Sequence, residues 1–224
     1  NRIDAIYRYS SDPDTYIRKN TYLALGRIYK QDKDLRDRIL DLLDHMLEEE
    51  DSKIRQTSVY AAGEIGKYDA EIIYPNLEKG LNDDDGSVRN AVVGSLKQMG
   101  QKNPGPTLQF ARKHLHHADP EIRSKIVHGM ELRGRTHPED VLPLLEELQY
   151  DPDKNVRKMM IHVLGQISYK EGCLEKVITA LNAWKNPEII QKALKEILEV
   201  HKRYKFALLS PEEAQEYIEL NIKT

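Results

Sequence analysis

One short pattern returns five times along these 224 residues: Asp, two variable residues, Ile or Val, then Arg. The copies run from Asp14 to Arg18, Asp51 to Arg55, Asp85 to Arg89, Asp119 to Arg123 and Asp153 to Arg157. Their arginines lie 37, 34, 34 and 34 residues apart. One more step of 34 lands on Gln191, inside Asn186-Pro187-Glu188-Ile189-Ile190-Gln191. That stretch is a degenerate sixth copy, which keeps the Pro and Ile and loses the Arg. A fixed period of this size marks an array in which each repeat buries its apolar side only against its neighbours. The sequence therefore predicts an all-α right-handed solenoid of about six repeats.

Each Asp is suited to open a helix, because its carboxylate accepts hydrogen bonds from the free N–H groups of the first turn. Pro120 falls at the first helical position, where its missing N–H costs nothing. Apolar residues then recur at helical spacing. The predicted core rows include Ile17, Thr21, Leu25 and Ile28; Ile54, Ser58, Ala62 and Ile65; Val88, Val92, Leu96 and Met99; and Val156, Met160, Leu164 and Ile167. Gly66, Gly100 and Gly134 sit where C-terminal cap glycines are expected. Shorter amphipathic segments lie between these helices, at 35–49, 71–81, 107–117, 138–150 and 174–184, with a first one at 2–8. Each repeat thus reads as helix A, turn, helix B. The expected units are 1–30, 35–68, 70–101, 104–135, 138–169 and 172–205 of one repeat domain. Residues 102–106, with Pro104 and Pro106, read as a loop between units. Ser210-Pro211-Glu212-Glu213 announces a capping box and a lid helix over 211–222.

The Asp-x-x-[Ile/Val]-Arg head, with continuations such as Leu23-Ala-Leu-Gly-Arg-Ile28 and Tyr60-Ala-Ala-Gly-Glu-Ile65, resembles HEAT repeats, most closely the short PBS-lyase HEAT-like type. The resemblance covers nearly the whole chain and implies an armadillo-like helical solenoid. The architecture is also similar to that of HEAT-like alkylpurine DNA glycosylases. Those enzymes use a Trp and an Asp together in an aromatic cleft on a basic surface. Here the single Trp is Trp184, beside Lys185-Asn186-Pro187, with no acidic neighbour on its own side of the turn. The phycobilin lyases resemble these repeats as well, but no chromophore site is legible.

The recurring Arg reads as a structural joint between layers, with the Asp four residues back as its cap and partner. Function is then expected on the concave B-helix face. If the Ile or Val and the residues 3, 7 and 10 after Arg point inward, those 1, 5 and 9 after it form the other face. The candidate partner-binding residues are accordingly Lys19, Gln56, Tyr60, Asn90, Ser124, His128, Lys158 and His162. The row nine after Arg adds Arg27, Glu64, Gln98, Leu132 and Gln166. This face is polar and mixed, with one aromatic for stacking and no line of basic groups such as nucleic acid needs. His128 and His162 share one repeat position, yet a zinc site needs three or four ligands. His114, His116 and His117, with Arg112 and Lys113, spread around helix A as a basic convex patch.

The charge is near neutral overall, 34 basic against 37 acidic residues, and no clear basic excess marks a nucleic-acid domain. It is uneven along the chain: residues 32–51 carry nine acidic and three basic groups, residues 102–135 seven basic and three acidic. A single cysteine, Cys173, precludes an internal disulfide and a Cys-based zinc site, and suits a reducing, cytoplasmic setting. No apolar run reaches the roughly 18 residues of a membrane span. The first residue is Asn1 rather than Met, as in a fragment that has left targeting information or further repeats behind. No nucleophile elbow, phosphate loop or metal-ligand spacing is present. The expectation is a non-catalytic scaffold for a protein or peptide, with neither cofactor nor metal. The alternative is a DNA-binding protein of the alkylation-repair kind.

Overall fold

The computed structural model describes residues 2–223. Among them the only regular elements are helices: α1 Arg2–Ser10, α2 Thr15–Gln31, α3 Arg36–Met46, α4 Ser52–Gly66, α5 Tyr74–Leu81, α6 Gly86–Lys102, α7 Pro104–His114, α8 Pro120–Gly134, α9 Pro138–Glu146, α10 Lys154–Gln166, α11 Cys173–Leu181, α12 Pro187–Arg203 and α13 Pro211–Asn221. Short 3-10 turns, Lys33–Leu35 and Glu71–Ile73, lead into α3 and α5. The fold is an all-α solenoid.

The repeated aspartates do what their chemistry suggests. Asp14, Asp51, Asp85, Asp119 and Asp153 each accept a hydrogen bond from the N–H two residues on, at 2.7–2.9 Å. Asn186 caps α12 in the degenerate copy, accepting from the Ile189 N–H at 3.3 Å. Ser210 and Glu213 form the reciprocal capping box of α13. Each such cap is worth about 1 kcal/mol.

The helices gather into two compact units, Asn1–Phe110 and Ala111–Thr224. In the first, α4 packs extensively against α2 and α6, while α1, α3 and α5 flank this row. Leu43, Met46, Val59, Ile65, Leu77 and Val92 are fully buried there. Burying one such side chain stabilises by about 1.5–3 kcal/mol. In the second, α10 packs against α8 and α12, with α9 and α11 alongside. Leu144, Val156, Met160, Leu164, Ile178 and Ile197 form its centre. Within each unit the B helices touch one another more extensively than the A helices do, so the B side is the tight side of the stack. α13 packs on α11 and α12, burying Ala214 and Ile218.

Three expectations are corrected. Residues 102–106 are not a loop: α6 runs to Lys102, Asn103 alone intervenes, and α7 opens at Pro104, since Pro is tolerated in a first turn. Gly66, Gly100 and Gly134 are not left-handed caps, because Gly172 alone has positive φ among the described residues. Gly66 and Gly134 instead let helices approach: a Cβ would lie 2.6 Å from Met99 Cε and 2.7 Å from Ile167 Cγ2 respectively. Ile17 and Ile28, expected in the core, are exposed. They line an apolar groove of about 390 Å³ between α1 and α2.

Candidate functional site

Arg55 and Arg123 form joints between repeats, by a route the four-residue spacing does not reveal. Each guanidinium turns back over its helix N-terminus and donates to backbone carbonyls five or six residues earlier. Arg55 Nη1 reaches the Glu49 and Glu50 oxygens at 2.8 and 2.9 Å; Arg123 Nη1 reaches those of His117 and Ala118 at 2.8 and 3.1 Å. The carboxylate partner is not the Asp four residues back. For Arg55 and Arg123 it is an Asp in the next repeat, two residues before that repeat's cap. Arg55 Nε and Nη2 clasp Asp83 at 2.8 and 2.9 Å. Arg123 clasps Asp151 at 2.7 and 2.8 Å, with the two side chains only 10% and 4% exposed. The same Asp83 and Asp151 also accept the N–H of Asp85 and Asp153. One residue thereby orders its own turn and ties two B helices together. Burial alone would push both carboxyls up. The Arg hydrogen bond and the cap N–H outweigh it and hold Asp83 and Asp151 below the usual carboxylate range.

With Arg55 and Arg123 spent on joints, the B-helix face carries what remains. In the first unit Tyr60 of α4 stacks on Tyr22 of α2, ring centroids 5.0 Å apart at 28°. Gly94 of α6 makes room for the Tyr60 ring, since a Cβ there would lie 3.0 Å from Tyr60 Cε1. Burial pushes both phenols up, so both stay neutral. The pair separates two clefts. One, about 410 Å³, is lined by Tyr16, Arg18, Lys19, Gln56 and Thr57 along with the tyrosines. The other, about 360 Å³, runs over Lys19, Leu23, Glu64, Lys67 and Gln98. Exposed Lys19 lines both. Gln56 spans to the head of α6, donating to the Ser87 carbonyl at 3.2 Å. Asn90 is exposed on α6.

The second unit places different chemistry at the equivalent positions. His128 of α8 and His162 of α10 face each other edge to face, centroids 6.1 Å apart. Between them lies Glu131, whose Oε2 is 3.2 Å from His128 Nε2 and 3.8 Å from His162 Nε2. Its Oε1 accepts from Arg135 Nη2 at 2.5 Å. Gln166 belongs to this network and not to the open face: it is buried, and its Oε1 accepts from Arg135 at 2.6 Å and from the Tyr204 hydroxyl at 2.9 Å. Ser124 is half-buried and Lys158 exposed on the same helices. The basic patch at the end of α7 and in the turn after it is partly tied down, with Arg112 and His116 both meeting Glu147, at 3.2 and 2.9 Å.

Sequence reasoning named Tyr60, His128 and His162 as candidates but not their neighbours Tyr22 and Glu131, nor the second aspartate. The signal for the aspartate was present, because Asp12, Asp83 and Asp151 all stand two residues before a cap. Trp184, the residue a glycosylase-like cleft would need, is buried in the second unit. No helix is long and apolar enough to cross a membrane among the described residues.

A model of HEAT repeats matches residues 108–199 and a single HEAT repeat matches 73–102. The model of the non-SMC mitotic condensation complex subunit 1 matches residues 1–80. No curated protein matches the chain. Among solved structures, smu.31 from Streptococcus mutans UA159 is similar at 19% identity and TM-score 0.64, over 88% of this chain and 98% of that one. AlkD2 from Streptococcus mutans is similar at 17% and 0.65, over 93% and 98%. Kap95p, whose binding induces the switch loops of RanGDP to adopt the GTP-bound conformation, is similar at 15% and 0.51, over 93% of this chain and 31% of that one. The repeat matches and the shared architecture agree with the caps and joints described above: the chain is a HEAT-repeat protein.

Proposed function

We propose that this chain is a non-catalytic binding protein that holds a protein or peptide partner on its B-helix face, with the tyrosine groove of the first unit as the main contact. The observation that carries this is the stacked Tyr22–Tyr60 pair set between two clefts that share Lys19. Tyrosine offers a large rigid surface with a polar tip and few torsions to freeze, which suits recognition of peptide side chains. The mixture of Lys19, Gln56, Glu64 and Lys67 around it suits a partner of mixed charge better than a polyanion. Kap95p is a structural precedent for this fold engaging a protein. His128 and His162, with Ser124 and Lys158, are the corresponding face of the second unit.

Chemical crosslinking from native cells tests the reading. A partner crosslinked at Lys19 should be lost in the Tyr22→Ala/Tyr60→Ala variant, with the variant still folded. A partner that crosslinks only to A helices removes the assignment.

A second reading, DNA binding, draws on Arg18, Lys19 and three tyrosines in one groove, since bases stack on aromatic rings. Fluorescence anisotropy with duplex DNA across a salt series separates the two. Steeply salt-dependent binding near micromolar makes DNA the ligand; weak binding at every salt leaves the protein partner.

A further inference from the structure

We propose that His128, Glu131 and His162 form a three-ligand site for a divalent transition-metal ion of zinc's chemistry. The ligand atoms of all three lie within 4.8 Å of one another. Two donors that sit 2.0–2.1 Å from a tetrahedral ion are about 3.3 Å apart. The His128–Glu131 separation of 3.2 Å already matches, and the His162–Glu131 separation of 3.8 Å needs only a small rotation of one ring.

The fold prepares this site rather than merely permitting it. His128 and Glu131 are three apart on α8 and so share a face, and His162 comes from the adjacent α10. All three ride on packed helices, which hold ligands more firmly than loops do. The Glu131 side chain is only 5% exposed. Arg135 occupies its Oε1, which leaves Oε2 directed at both imidazoles. Gln166 in turn accepts from Arg135, and the Tyr204 hydroxyl donates to the same Gln166 oxygen. On the far side of His162, Glu196 of α12 stands with Oε1 3.9 Å from Nδ1. A small turn of the ring would bring the two into hydrogen-bond distance, giving the carboxylate–histidine–metal arrangement in which an outer carboxylate orients the ring and raises its basicity. Glu131 and Glu196 together offset the charge of the ion beside Arg135.

Two imidazoles and one carboxylate suit zinc and its neighbours, while calcium and magnesium prefer all-oxygen shells. Three protein ligands leave a fourth position open, for water or a ligand from outside. The inference rests on this cluster alone and is independent of the tyrosine groove.

The full chain, freed of metal with a chelator, is titrated with ZnCl2 by calorimetry and with Co2+ by absorption spectroscopy. One ion should bind per chain, and cobalt should show the strong visible bands of a four-coordinate ion. His128→Ala and His162→Ala should each weaken zinc by more than the roughly 10–100-fold expected for an outer partner such as Glu196→Gln. Replacing His114, His116 and His117 together should change nothing. His162 is 39% exposed, so its variant keeps the fold, which circular dichroism checks. Absence of zinc binding to the native chain, or affinity unchanged in both histidine variants, overturns the site and leaves a simple His–Glu ion-pair network.

Discussion

The two units are built on one joint and differ in what they display. In the first, Arg55 reaches Asp83 and exposed Asp84; in the second, Arg123 reaches Asp151 in a more buried setting. Both aspartates also order the turn before the next B helix. Five residues beyond the Arg the likeness ends. The first unit has Tyr60 stacked on Tyr22; the second has His128 and His162 about Glu131. Backbone carbonyls and cap N–H groups make the same demand in every repeat, so the residues that meet them recur. The face makes no such demand, and its chemistry is free to diverge.

The largest effect should come from breaking the shared joint. Asp151→Ala leaves the Arg123 guanidinium buried without its counter-charge. Removing one member of such a pair costs about 3–5 kcal/mol. Asp83→Ala should cost less, at or below the lower end of that range, because Arg55 keeps exposed Asp84 as a second partner. Chemical denaturation of the two variants compares them. Equal losses would show that Asp84 contributes nothing, and two silent variants would remove the joint as a source of stability. Both carboxyls are held below the ordinary value in the folded state. Their contribution is therefore complete above the ordinary carboxylate pKa, near 3.8, and is lost as pH falls below it through the depressed folded value. Denaturation midpoints of the native chain should drop on acidification, and those of Asp151→Ala should drop less.

A smaller contrast lies in helix spacing. A Cβ at Gly63 would sit 2.4 Å from Ser95 Oγ and 3.1 Å from Ser95 Cα, so backbone stands in its way. At Gly134 the obstacle is Ile167, whose Cγ2 lies 2.7 Å away on a side chain that can turn. Overpacking of this kind costs about 1–3 kcal/mol. Gly63→Ala should fall at the upper end and Gly134→Ala at the lower. Thermal melts that reverse this order would show that the first unit yields more easily than its contacts imply.

What was legible in the sequence follows the same division. The helix heads were readable because a cap involves residues two or three apart. The repeat period was readable because every layer makes the same demand. Glu131 was hidden because it lies eight residues past Arg123, outside the face rows, and reaches the groove only between two histidines on neighbouring helices. Tyr22 was hidden likewise, since its partner Tyr60 is 38 residues away and neither ring signals the other locally. Gln166 was placed on the open face by helical spacing, yet Arg135 and Tyr204 draw it inside. Contacts between layers depend on which helix becomes the neighbour, and no single helix encodes that.

The smallest effect on stability should come from the face itself, and there the two units separate most sharply in function. Lys19 and Lys158 occupy the same position, one residue after the repeat arginine, and both are exposed. Replacing an exposed residue away from caps and joints changes stability by no more than about 0.5 kcal/mol. Lys19→Ala and Lys158→Ala should therefore melt alike. Lys19 lines both clefts beside the tyrosine pair, whereas Lys158 lies on the histidine helix of the second unit. If the tyrosine groove is the docking surface, Lys19→Ala should weaken partner binding severalfold in a direct titration while Lys158→Ala leaves it intact. The opposite result would move the docking surface to the second unit, beside the proposed metal site, and would make the open fourth coordination position the natural place to look for a partner's side chain.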